Sequence, residues 1–187
     1  MLFKRLGGIM MEVNNSTANR ILIIGCPGSG KSTLATQIAQ IGNIPLVHLD
    51  SIQWIDNETN TSQAVFDAKL KEEIQKDQWV IDGNYGRTME LRMKRAEMVI
   101  WLDFPRSICL YRILKRYVKN KGKKNPHGNP DRLYFSFLRF VWNYKKENDS
   151  RIEALRGRFQ DQLLFIHIRS GKELRKFINN FETRCEL

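Results

Sequence analysis

Gly25-Cys26-Pro27-Gly28-Ser29-Gly30-Lys31-Ser32 satisfies GxxxxGK[ST] at every fixed position, and it stands between a β-branched run and a helical pattern, the setting in which that motif binds phosphate. Gly25, Gly28 and Gly30 let the backbone turn its N–H groups inward at a helix N-terminus, where the helix dipole also favours negative charge. Lys31 is expected to reach the β- and γ-phosphates of a nucleotide. The Ser32 hydroxyl is expected to ligate Mg²⁺, with Pro27, Ser29 and Thr33 completing the stretch around the phosphates. A chance Gly-rich turn is the competing reading, but it does not account for strand, loop, lysine, serine and helix falling in register. The expected ligand is ATP or GTP.

Two carboxylates and two guanidiniums could share chemistry with that loop. Asp82 follows Trp79-Val80-Ile81 at the carboxyl end of a strand, where doubly wound folds place ligands, and reads as the acidic partner of Ser32 on Mg²⁺. Asp82-Gly83 is also a turn dipeptide, which gives it a structural alternative. Asp50 ends a strand-like run over residues 45–50 and should reach the mouth of the same crevice. A hydroxyl acceptor benefits from a carboxylate that takes its proton, whereas a phosphate acceptor does not, so Asp50 leans toward a hydroxyl acceptor. A strand-end turn or an indirect Mg²⁺ contact explains Asp50 equally well. Arg112 and Arg116 are four residues apart and share a helix face, from which both could point at phosphate and stabilise a transferring phosphoryl group. Without the loop they would read as a solvated face. Trp54 and Tyr85 either wall an acceptor pocket or pack; His48 and His127 read as structural. Cys26, inside the loop, is an oxidation-sensitive position or, on the blander reading, a small filler.

These residues need a scaffold that brings strand ends together. Ile21-Leu22-Ile23-Ile24 is the continuous apolar run of a strand buried on both faces. After it the pattern predicts a helix over 31–41, a strand over 45–50, a helix over 63–77, a strand over 79–82, a helix over 88–95 and a strand over 98–103. A helix from Pro105 to about Lys119 follows, then a loop over 121–130 and a helix over 131–146. A further helix over 150–159 carries a Ser150-x-x-Glu153 capping box, and a last strand over 163–168 precedes a helix capped by Ser170-x-x-Glu173. Strands alternating with helices predict right-handed crossovers and a parallel three-layer α/β domain. Residues 1–19 show no period and read as a flexible tail before a single domain over 20–187.

With 187 residues, 42% hydrophobic, the chain suits one domain with a single core. The 3 cysteines, Cys26, Cys109 and Cys185, support neither a disulfide framework nor a zinc site. No apolar run suits a membrane span or signal peptide, and the expected location is cytoplasmic. Residues 104–158 hold 15 Lys and Arg against 4 Asp and Glu, so the whole formal excess of +11 lies there while the remainder is balanced. Charge concentrated in this way fits a polyanion, either a nucleoside polyphosphate or a nucleic-acid backbone, with a solvated basic face as the plain alternative.

Three motifs together resemble the adenylate-kinase-like branch of P-loop kinases over residues 20–180: the loop, Asp82-Gly83-Asn84-Tyr85-Gly86-Arg87-Thr88, and Asp103-Phe104-Pro105 through Arg112 and Arg116. The second is similar to the Asp-Gly-Phe-Pro-Arg-Thr segment of those kinases with one residue added. Within the branch, the His48-Leu49-Asp50, Asp82-Gly83-Asn84-Tyr85 and Phe104-Pro105-Arg106 segments resemble the topology modulation (FlaR-like) proteins. The resemblance implies a P-loop NTPase fold with strand order 2-3-1-4-5, an acceptor arm over about 51–78, a helical lid over about 117–150 and phosphoryl transfer. It gives Arg112 and Arg116 a role on phosphate and Arg87 a hold on an acceptor's phosphate, with Arg151, Arg156 and Arg158 as arginines that could close with the lid.

Two functions follow. The leading one is an Mg²⁺-dependent kinase moving the γ-phosphate of ATP to a nucleotide or small hydroxyl acceptor. The other is an ATP-dependent nucleic-acid-binding protein affecting DNA topology or gene regulation, gripping a backbone through 104–158, where Tyr134, Phe135, Phe137, Phe140, Trp142 and Tyr144 could stack bases. Aromatics at helical spacing are more often core, and no helix-turn-helix, zinc finger or oligonucleotide-binding module accompanies them.

Overall fold

The computed structural model describes residues 3–6, 9–12, 18–54, 59–120 and 133–185. Within the stretch expected to be an irregular tail, β1 (Phe3–Leu6) and β2 (Ile9–Glu12) form an antiparallel pair. The pairing has no counterpart in the sequence pattern, because strands of 4 residues are too short to display an alternation.

The remaining elements are β3 (Arg20–Gly25), α1 (Lys31–Gly42), β4 (Leu46–His48), α2 (Leu49–Gln53), α3 (Gln63–Gln75), β5 (Trp79–Asp82) and α4 (Gly86–Arg95), followed by β6 (Met98–Leu102), α5 (Arg106–Asn120), α6 (Phe135–Arg158), β7 (Leu164–Ile168) and α7 (Gly171–Cys185). The five long-range strands make one parallel sheet in the order β4-β5-β3-β6-β7, which is 2-3-1-4-5 when the sheet's strands are counted along the chain. Side chains alternate across a strand, so β3 sends Ile21 and Ile23 to one helical layer and Leu22 and Ile24 to the other, all four fully buried. The first layer contains Leu34 and Ile38 of α1, Val141 and Tyr144 of α6, and Phe177 and Phe181 of α7. The second contains Phe66, Leu70 and Ile74 of α3, Met89 and Met93 of α4, and Ile152 and Leu155 of α6. Among the described residues no helix is long and apolar enough to cross a membrane.

Two differences from the sequence pattern concern the site and its surroundings. The strand expected over 45–50 stops at His48, and Asp50 lies in the first turn of α2 instead of at a strand end. The helices expected over 131–146 and 150–159 are one, α6. Its buried residues Val141, Tyr144, Ile152 and Leu155 recur at helical spacing straight through the expected break, and Asn148 turns its side chain back onto the Tyr144 carbonyl at 2.9 Å. The Ser150 capping box is therefore mid-helix, whereas the Ser170–Glu173 box operates, Glu173 N–H donating to Ser170 Oγ at 3.2 Å. The loop expected over 121–130, with His127, lies outside the described residues.

Candidate active site

Parallel register brings the carboxyl ends of β3, β4, β5 and β6 to one edge, and every element of the site starts there. Ile23 pairs with Asp82, His48 with Asp82, and Gly25 with Leu102. From that edge the glycine loop climbs into α1. Gly25 and Gly28 have φ of +145° and +80°, and a Cβ on them would fall 2.3 Å from the Leu102 carbonyl oxygen and 2.4 Å from that of Cys109. Only glycine lets the loop pass this close to the backbone of β6 at Gly25 and of α5 at Gly28. No acidic residue occupies the first turn of α1, which leaves its N-terminus favourable to an anion. Lys31 Nζ arches back to donate to the Cys26 carbonyl at 3.1 Å. Burial pushes the Lys31 amine down from its ordinary value against the opposing pull of Asp82 and Asp50.

Ser32 and Asp82 meet as their types suggested: Ser32 Oγ donates to Asp82 Oδ2 at 2.7 Å. The other Asp82 oxygen accepts from His48 Nδ1 at 2.5 Å, so His48, read as structural, is a partner of the site carboxylate. Burial pushes the Asp82 carboxyl up, yet the His48 hydrogen bond and charge, with Ser32 and Lys31, outweigh it and hold the group below the ordinary carboxylate range. The same hydrogen bond raises His48 against burial. A hydroxyl beside an ionised carboxylate is a hard-oxygen donor set that suits Mg²⁺. Among the described residues no group of three or more His, Cys, Asp and Glu side chains could hold a metal ion.

The loop between β5 and α4 ties the phosphate loop to the acceptor arm. Asn84 clamps Gly25 through two bonds, Oδ1 accepting from Gly25 N–H at 3.0 Å and Nδ2 donating to Gly25 O at 2.6 Å. Tyr85, at φ +25°, aims its hydroxyl at Asp50 and donates to Oδ1 at 2.8 Å. Burial, then Asp50, pushes the phenol well above its ordinary value, so it stays a donor. Holding this loop is Arg92, fully buried, whose guanidinium donates to the carbonyls of Gly83 at 2.8 Å, Asn84 at 2.7 Å and Tyr85 at 3.0 Å. Burial lowers its pKa to about 9. Neither Arg92 nor the Asn84 clamp was anticipated. The available signal was spacing: Thr88, Met89, Arg92 and Met93 share the buried face of α4, and an arginine on such a face requires partners.

On the opposite flank, α5 delivers Arg112, whose Nη1 donates to the Ser29 carbonyl at 2.8 Å and whose guanidinium lies 4.8 Å from the Phe104 ring. Arg116 follows one turn on. A cavity of about 700 Å³ is lined by Pro27, Gly28, Gly30, Lys31, Ser32 and Thr33, by Asp50, Trp54, Asn84 and Tyr85, by Arg112 and Arg116, and by Tyr134, Phe137 and Phe140. Most of the expected site residues are thus brought together. Arg87 is not: it forms a bidentate pair with Asp67 of α3, at 2.7 and 2.6 Å, on the surface. Arg156 and Arg158 are also directed elsewhere, to Glu153 at 3.5 Å and Glu90 at 3.0 Å, while Arg151 reaches Gly86 without lining the cavity. The aromatics of α6 divide: Tyr144 is core, Tyr134, Phe137 and Phe140 line the cavity, and Trp142 lies under Arg106 at 3.9 Å. Cys26 is buried against Cys109, whose hydrogen bond, together with burial, pushes the Cys26 thiol upward, as expected of a filler and not of a reactive thiolate.

A family profile described as AAA domain (AAA_18) matches residues 21–131. Two solved structures share the fold. A "putative kinase" from Chloroflexus aurantiacus is 17% identical with a TM-score of 0.53, the match covering 89% of this chain and 98% of that one. Shikimate kinase from Bacteroides thetaiotaomicron is 17% identical with a TM-score of 0.51, covering 91% of this chain and 100% of that one. No curated protein matches the chain. At such identity the structural likeness speaks for the fold, which is that of P-loop kinases, and the finer resemblance to topology modulation proteins has no counterpart among these matches.

Proposed function

The chain belongs to the AAA domain family matched over residues 21–131, and from that premise we propose that it is an adenylate-kinase-like phosphotransferase of the cytoplasm, moving the γ-phosphoryl group of Mg·ATP to an acceptor hydroxyl. The observation that carries this reading is the convergence on one cavity of the glycine loop, Lys31, Arg112 and Ser32, the last backed by Asp82. Phosphoryl transfer asks the protein for positioning and for charge stabilisation of the equatorial oxygens, and these groups supply both.

Lys31 exchanges the Cys26 carbonyl for the phosphates, and its lowered pKa recovers as anionic oxygens replace a neutral partner. Arg112 and Arg116 face the transferring group from α5. Ser32 and Asp82 would hold Mg²⁺, which would offset the negative charge of the phosphates. Asp50, steadied by Tyr85, accepts the proton of the acceptor hydroxyl as its oxygen bonds to the γ-phosphorus and the bond to the β–γ bridging oxygen breaks, releasing ADP. Residues 51–78 serve as the acceptor arm, whereas the stretch 117–150 expected to be the lid carries Val141 and Tyr144 of α6, which are packed in the core.

Part of the basic segment is engaged within the molecule and not directed at an outside polyanion. Lys145 is spent on Asp103 at 2.6 Å, Arg158 on Glu90, Arg106 on Trp142 and Arg112 on Ser29, all within the molecule. The test is ADP formation from Mg·ATP with an acceptor panel, beside Lys31→Ala. Wild-type ADP that depends on acceptor, with Lys31→Ala slower by at least about 10²-fold, is the expected outcome. Equal rates in the two proteins would refute the reading.

A further inference from the structure

Among the described residues, the exposed large apolar side chains other than Val65 and Leu91 all lie between Ile108 and Trp142. Of these, Tyr134 and Phe140 belong to the active-site cavity. On α5, Ser107, Tyr111, Leu114 and Val118 are three or four residues apart and exposed, so they form one outward stripe, with Ile108 beside it and Val118 76% exposed. On α6, Phe135, Arg139, Trp142 and Lys146 form a second by the same spacing, with Phe135 82% exposed. The stripes meet at a separate cavity of about 470 Å³, lined by Arg106 and Ser107 from the start of α5 and by Trp142, Lys145 and Lys146 of α6. Arg106 lies 3.9 Å over the Trp142 ring and Lys145 holds Asp103 at 2.6 Å, which fixes the walls. The first turn of α5 carries no acidic residue, so its N–H groups add to the positive field there. Residues 106–120 hold five Lys and Arg and residues 135–146 hold three, and neither stretch contains an Asp or Glu.

We infer that this face is a docking surface for an anionic phospholipid bilayer, on which the two helices lie without spanning it. Exposed apolar side chains interleaved with Lys and Arg are what a membrane interface takes up. The apolar groups enter the boundary between headgroups and acyl chains, and the long basic side chains keep their charge among the headgroups. Each cation near an anionic surface adds to the attraction. Tyr111 and Trp142 suit the boundary itself, since each joins an apolar ring to a polar tip. The cavity where the stripes meet receives the phosphate of one headgroup, beside Arg106, Ser107 and Lys146. Two other occupants fit less well. A second copy of this chain would set the same carboxylate-free helices against themselves, cation to cation. A nucleic acid would stack on aromatic rings, but Leu114 and Val118, both exposed, offer a base no face to stack on.

The experiment is co-sedimentation of the full chain, at about 0.15 M salt, with vesicles of phosphatidylcholine and with vesicles of an equimolar phosphatidylcholine–phosphatidylglycerol mixture. Binding to the mixed vesicles and not to phosphatidylcholine alone is expected. The double variant Val118→Ser, Phe135→Ser keeps the net charge and is expected to bind the mixed vesicles about tenfold or more weaker. Lys146→Glu is expected to bind them about fivefold or more weaker. These side chains are at the surface, so the helicity of both variants by circular dichroism is expected to match wild type. Equal binding to the two kinds of vesicle, binding to neither, or unchanged binding of the double variant, which would reduce the contact to adsorption of charge, would each overturn the inference. Single-stranded DNA that displaces the protein from the mixed vesicles at this salt would overturn it in favour of a polynucleotide. A dimer in sedimentation equilibrium that the double substitution dissociates would overturn it in favour of a second copy.

Discussion

Arg92 illustrates how a residue outside the cavity can govern the shape of its wall. Its guanidinium meets three successive carbonyls of the loop that carries both Asn84, the clamp on Gly25, and Tyr85, the support of Asp50. A lysine keeps the charge but presents a point donor on a flexible stem and cannot span the same three oxygens. Buried carbonyls left without a donor cost about 1–3 kcal/mol each. Arg92→Lys is therefore expected to lose about 2–4 kcal/mol in urea denaturation, and to weaken acceptor-dependent turnover more than nucleotide affinity. A loss below about 0.5 kcal/mol would mean that the carbonyls find other partners. At this scale the sequence spoke unevenly. Lys31, Ser32 and Asp82 were legible because each occupies a motif or a strand end that fixes its surroundings. Asp50 was legible in type but not in setting, since nothing local distinguishes a strand end from a first helical turn. His48 was not legible: its partner is 34 residues away and reaches it through the pairing of β4 with β5.

Helix α6 is the element whose continuity the local signals argued against. Ser150-x-x-Glu153 is a valid N-terminal signature, yet 24 residues run through it as one helix, about 36 Å long at 1.5 Å per residue. Tertiary burial decides the matter: the first half packs Val141 and Tyr144 on one core layer and the second packs Ile152 and Leu155 on the other, so one rod bridges both. Proline separates the alternatives. At a helix start Ser150→Pro would cost no more than a lost cap, about 1 kcal/mol, whereas in a helix interior it costs about 3 kcal/mol or more. The larger figure is expected in chemical denaturation, with helicity lost by circular dichroism. The strands were easier to read, because Ile21 to Ile24 and Met98 to Leu102 are apolar without interruption, a pattern that only a doubly covered sheet accommodates.

For the whole molecule, the charge total was plain from composition and its meaning was not. A basic stretch predicts a polyanion, but only the packing shows that Lys145, Arg156 and Arg158 have internal carboxylates to face. These ion pairs turn part of the basic charge onto the protein itself. Retention of generic duplex DNA is expected to vanish as salt approaches about 0.15 M, while Mg·ATP affinity persists. DNA held tightly at that salt, with a steep dependence on log salt, would revive the nucleic-acid reading. Strand order, by contrast, came from the family resemblance, since periodicity shows that strands are buried and not which neighbours they choose.

The central position of β3 also separates the two sides of the site along the gene. Asp50, proposed to meet the acceptor, Tyr85, which steadies it, and the supporting Arg92 are written in one unbroken stretch between β4 and the end of α4, and the arginines proposed for the donor come later, on α5. That stretch also carries Asp82, the partner of Ser32, and Asn84, the clamp on Gly25, so an exchange of substrate that spares the grip on the triphosphate must keep those two residues. Grafting residues 46–95 between proteins of this fold, with Asp82 and Asn84 retained, is thus a more promising route to a new acceptor than scattered point changes.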